Sequence, residues 1–118
     1  MVFSIVGKWS SEEGYEGGQS DEIFVFNEDG SGQIYYVNFA LHTIVDFQYR
    51  IEEETKLILS NVSYHYVNDE CYSSNEDIVI YDKLVIEENE LHLENLYLRK
   101  IHHHLHYSFL CCCQKYNL

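Results

Sequence analysis

Apolar and polar residues alternate along most of this chain with a period near two, the spacing of strands that bury one face. Phe24 and Phe26 share a face over residues 23–26, and that segment ends at Asn27-Glu28-Asp29-Gly30, whose Asp-Gly step suits a tight hairpin turn. Residues 32–38 return. Over 44–51, Val45, Phe47, Tyr49 and Ile51 alternate with Asp46, Gln48 and Arg50, and the run Glu52-Glu53-Glu54 ends the pattern. Leu57 and Leu59 then share a face, as do Tyr64 and Tyr66, before a polar loop over 68–76. Residues 77–86 predict one long strand or two short ones. Glu87-Glu88-Asn89 turns the chain, Leu91 and Leu93 flank His92, and 96–101 supply a last strand.

Eight to ten short strands joined by brief polar turns, with no window of helical spacing, predict an all-β, antiparallel, up-and-down meander. To bury its apolar face in so small a chain, the meander must curl into a closed or nearly closed barrel. The chain has no proline, so every strand keeps its ladder donors. A strand, an acidic turn and a strand with two leucines two apart occur at 47–59 and again at 83–93, one hairpin unit used twice. At 118 residues there is room for one core, assigned to residues 1–101, with a His- and Cys-rich tail over 102–118.

Gly7-Lys8-Trp9, the stretch from Phe24 to Gly32 and the paired hairpins together resemble the small bacterial lipocalin-like domains of the calycin group, over about residues 5–101. The resemblance implies that Trp9 closes one end of the barrel with an arginine packed on its indole, for which Arg99 is the candidate. It also implies a carrier of a small hydrophobic ligand. Residues 12–20 form a Gly-rich acidic stretch where the fatty-acid-binding relatives have a helical lid, and no long carboxy-terminal helix follows the barrel. The aromatic residues at the inward positions are therefore read first as core.

Charge changes the functional picture. The chain carries 7 basic against 20 acidic residues, a formal net charge of −13, and no Lys or Arg lies between Trp9 and Tyr49. Such a field repels nucleic acid and anionic lipid and speeds the approach of a basic partner. The candidate partner surface is Glu12, Glu13, Glu16, Asp21, Glu22, Glu28 and Asp29, expected in turns or on solvated faces. Tyr35 and Tyr36 join it, because adjacent strand residues cannot both point inward.

Catalytic signatures are thin. There is no Gly-rich phosphate loop, no Gly-x-Ser-x-Gly elbow and no Cys-x-x-Cys pair, and the carboxylates cluster in solvated turns, so the chain reads as non-catalytic. No segment matches a secretory signal or a membrane span, and Cys71 and Cys111–Cys113 form no disulfide framework, so reduced thiols and a cytoplasmic location are expected. If the last strand continues through the tail, His102, His104 and His106 project from one face and offer a candidate Zn²⁺ site. Otherwise no cofactor is implied. The expectation is an acidic binding protein that masks a basic protein, as immunity proteins mask toxins, with the hydrophobic-ligand carrier as the alternative.

Overall fold

The computed structural model describes residues 3–11, 20–38, 40–66, 72–74, 78–94 and 96–101. Among these residues ten strands run in chain order: β1 (Gly7–Ser10), β2 (Ser20–Phe26), β3 (Ser31–Asn38), β4 (Ala40–Glu52), β5 (Lys56–Tyr66), β6 (Tyr72–Ser74), β7 (Val79–Tyr81), β8 (Val85–Ile86), β9 (Glu90–Leu93) and β10 (Leu96–Lys100). They form one antiparallel sheet in the order β6-β5-β4-β3-β2-β1-β10-β9-β8, with β7 beside the first half of β5. No helix occurs among the described residues.

The sheet curls into a half-barrel, and residues 79–86 carry it round. The first part of this segment pairs with β5 and the second with β9. Lys83, at a φ of 58°, makes the bend between them. The Leu84 amide donates to the Thr55 carbonyl at 2.9 Å and the Asp82 amide to the Glu94 carboxylate at 2.9 Å, which ties the segment to a turn on either side.

Alternation places one apolar set on the concave side. Trp9, Phe24, Phe26, Ile34, Val45, Phe47, Leu57, Leu59, Leu91, Leu93 and Leu98 belong to a single buried cluster. The Phe26 ring lies 5.7 Å from Phe47 and 5.1 Å from Tyr49, centroid to centroid, so aromatic side chains fill this part of the interior. On β5 the period breaks. Pairing jumps from Asp46↔Ser63 to Gln48↔Ser60, so Asn61 and Val62 both oppose Phe47, with Asn61 left-handed at a φ of 51°. This bulge moves the inward positions from Leu57 and Leu59 to Val62 and Tyr64. Gly32 makes room at the same level: a Cβ there would stand 2.5 Å from both the Val25 carbonyl oxygen and the Phe47 ring.

Trp9 is fully buried, and its indole N–H donates to the Ile5 carbonyl at 2.8 Å. The cation over its ring is Lys100, with Nζ 5.0 Å from the centroid, not the expected Arg99. Pairing explains the difference. Lys100 is the cross-strand partner of Trp9 and shares its side of the sheet, whereas Arg99 pairs with Ser10 and faces the other way.

Candidate functional site

Three turns come together at one end of the half-barrel, because β2, β4 and β8 all run toward it. The first, Asn27–Gly30, follows ordinary turn chemistry. Gly30 takes a φ of 89°, and the Asp29 carboxylate accepts the Ser31 hydroxyl at 2.6 Å and the Ser31 amide at 2.9 Å. Those two bonds hold the Asp29 carboxyl below its usual range. The Tyr49 hydroxyl donates to the Asn27 carbonyl at 2.6 Å; partial burial and the neighbouring Asp29 and Glu28 charges raise its pKa.

The second turn, Glu53–Thr55, is unusual. Glu53 and Glu54 have φ values of 54° and 63°, the pair of left-handed residues for which a two-residue hairpin turn favours Asn-Gly. Each costs an ordinary L-residue about 1–2 kcal/mol. The third turn carries Glu87 and Glu88 and leads into Glu90. Glu28, Asp29, Glu52, Glu53, Glu54, Glu87, Glu88 and Glu90 are all exposed. Arg50 meets Glu52 at 2.9 Å and Lys56 approaches Glu53 at 3.8 Å, while Glu28, Glu54, Glu87 and Glu88 have no ion pair among the described residues. By sequence alone Glu52–Glu54 and Glu87–Glu88 are plain solvated turns. Their convergence with Glu28 and Asp29 depends on strand direction and has no local signature.

The remaining expected surface residues separate. Asp21 is buried, not solvated: its carboxylate accepts the Ser10 hydroxyl at 2.6 Å, the Ser11 hydroxyl at 3.0 Å and the Ser11 amide at 3.1 Å. Glu22, one residue on, points to the concave side, where burial and the Asp21 charge raise its pKa. Tyr35 is fully buried on the convex side with its hydroxyl donating to Gln33, and Tyr36 is half-buried on the concave side. Burial, then the neighbouring Tyr81, Glu22 and Tyr64, push the Tyr36 pKa up to about 12. Glu12, Glu13, Glu16, His102, His104 and His106 lie outside the described residues.

Glu87, Glu90 and His92 place one ligand atom each within 4.8 Å of the others, with His92 Nε2 3.4 Å from the Glu90 carboxylate. Solvated acids beside a histidine commonly take this arrangement, and it adds to the negative end. Comparison of the chain with protein-family models, curated proteins and solved structures finds no match.

Proposed function

We propose that this protein is a non-catalytic binding protein whose acidic turn end engages a basic protein partner, as an inhibitor of the immunity type covers the phosphate-binding surface of a toxin. The observation that carries the reading is the convergence of three separate turns on one end with their carboxylates exposed. Glu53 and Glu54 add to it: glutamate is held at two left-handed positions where Asn-Gly would relieve the backbone, as expected where charge at that place outweighs local stability. Basic nucleic-acid-binding surfaces are complementary to such an end, and the summed field speeds encounter.

The alternative, a lipocalin-like carrier, draws on Tyr36, Tyr64 and Tyr81 with Glu22 on the concave side. The aromatic packing of Phe24, Phe26, Phe47 and Tyr49 within the same interior weighs toward the protein partner.

The test is charge reversal at Glu28, Glu54, Glu87 and Glu88 to Lys. Asp29 is left in place because it caps its turn. The variant should melt like the wild type and associate about tenfold or more slowly with the basic protein captured from the native host at low ionic strength, with the gap closing as salt is added. Equal association rates would remove the reading, and retention of a fatty acid by both proteins would favour the carrier.

A further inference from the structure

Beside the Asn27–Gly30 turn the concave side is packed by Phe26, Phe47 and Tyr49, but farther along the same side the apolar set gives way to polar tips. Glu22 and Tyr36, cross-strand partners near the start of β2 and the end of β3, both face inward there. Tyr64 shares that side from β5, and Tyr81 reaches it from β7. The Tyr81 ring stands 6.4 Å from Phe24, centroid to centroid, and Phe24 is two residues along β2 from Glu22. Because β7 joins the sheet at β5, three strands from β2, that contact crosses the hollow of the half-barrel. Glu22 and Tyr64 each oppose ionisation of both Tyr36 and Tyr81, so the four side chains lie close together. Among the described residues, neither the Glu22 carboxylate nor any of the three hydroxyls has a hydrogen bond or ion pair, and none is sealed from water. Strands β2, β3 and β7 carry no Lys or Arg, and Arg50 and Lys56 of β4 and β5 meet Glu52 and Glu53 instead. A partly buried carboxylate is thus left without a cation among these strands.

We propose that Glu22, Tyr36, Tyr64 and Tyr81 form a binding site for the ammonium head of a small amine with an apolar body, separate from the acidic turn end and independent of the partner engaged there. Charge decides the sign of the ligand. A carboxylate drawn in among aromatic rings repels a second anion, a fatty-acid carboxylate included, and gains by meeting a cation. The oxygen atoms decide its kind. An ammonium has three N–H donors, and one carboxylate with three tyrosine hydroxyls offers it four acceptor groups, while tyrosine rings attract a cation over their faces. The apolar body follows from the floor of the site. Phe24, Ile34, Val45 and Tyr64 are successive cross-strand partners, and the first three are buried, so hydrocarbon adjoins the polar tips directly. A site of this make-up binds charge at one end of a ligand and removes apolar surface from water at the other.

The test is calorimetric titration of the full chain near neutral pH with phenethylamine and hexylamine, each set against its uncharged alcohol analogue. Both amines should saturate a single site, and phenylethanol and hexanol should bind about tenfold or more weakly, the loss expected when a charged hydrogen-bond partner is withdrawn. Glu22→Gln should weaken both amines by about the same factor, and Tyr81→Phe, which deletes one hydroxyl, should weaken them several-fold. The comparison of amine with alcohol needs no variant and decides the matter even if a variant does not fold. Absence of saturable amine binding, alcohols that bind as well as amines, tighter binding of decanoate than of hexylamine, or unchanged amine affinity in a folded Glu22→Gln chain would each overturn the site.

Discussion

On the convex face, Ile23 and Val85 occupy similar strand positions, pointing away from the core cluster, yet Ile23 is fully buried and Val85 is 47 % exposed. Both are β-branched residues in alternating segments, and nothing in their local sequence separates them. The difference lies in how far each strand's convex side is shielded from water. A strand thus has two apolar sides wherever both faces of its sheet are shielded, and only one where they are not.

The largest effect is expected on the concave side, which sets the scale for the comparison. Trp9→Ala should cost about 3–5 kcal/mol by cavity formation, read as a fall in denaturant midpoint at constant slope. Ile23→Ala on the shielded part of the convex face should approach it, at about 2–5 kcal/mol, while Val85→Ala should stay within about 0.5 kcal/mol. Equal costs at Ile23 and Val85 would break the division of the convex face.

Asp21 tests the polar side of the shielded part. Asp21→Ala removes the carboxylate that accepts from the Ser10 and Ser11 hydroxyls and leaves the Ser11 amide with the Glu22 carbonyl at 3.2 Å alone, and should cost about 1–3 kcal/mol by chemical denaturation. Lys100→Met against Arg99→Met asks which side of β10 supports Trp9. The first should cost about 1 kcal/mol and the second less, because only the Lys100 Nζ lies over the ring and donates to the Val6 carbonyl.

The acidic end should behave in the opposite sense. Glu53→Asn with Glu54→Gly should raise stability by about 1 kcal/mol while weakening the basic partner's association. Glu22 gives the smallest effect. Its pKa in the folded state is raised, so its stabilising contribution is complete below about 4.5 and is lost as pH climbs through the folded value. Glu22→Gln should therefore melt slightly higher than the wild type at pH 7, with the gap closing by pH 4. A gap that widens on acidification would reverse the assigned sign.

Much of the fold was legible because hydrogen-bonded strands impose a period of two and hairpins need particular turn residues. The alternation at 44–51, the Asp-Gly turn and the acidic run after Ile51 each led to the observed element, and the strand count fell within the expected eight to ten. The site was less legible. Asp21 and Glu22 are adjacent acids in one strand, and an acidic letter says nothing of whether serine hydroxyls wait across the ladder for one of them. Arg99 and Lys100 are adjacent cations, and only the register with Trp9 selects between them.

The order of apolar and polar residues, the turn chemistry and the excess of acid were determined by the sequence alone, because each acts over a few neighbouring residues or over the whole chain's charge. The tertiary structure decided which turns share an end, which cation meets Trp9, how the bulge at Asn61 re-aims β5, and which part of the convex face is shielded. Those outcomes depend on strand direction, register and packing, which bring together residues as far apart as Val6 and Lys100 and leave no mark in either one's local sequence.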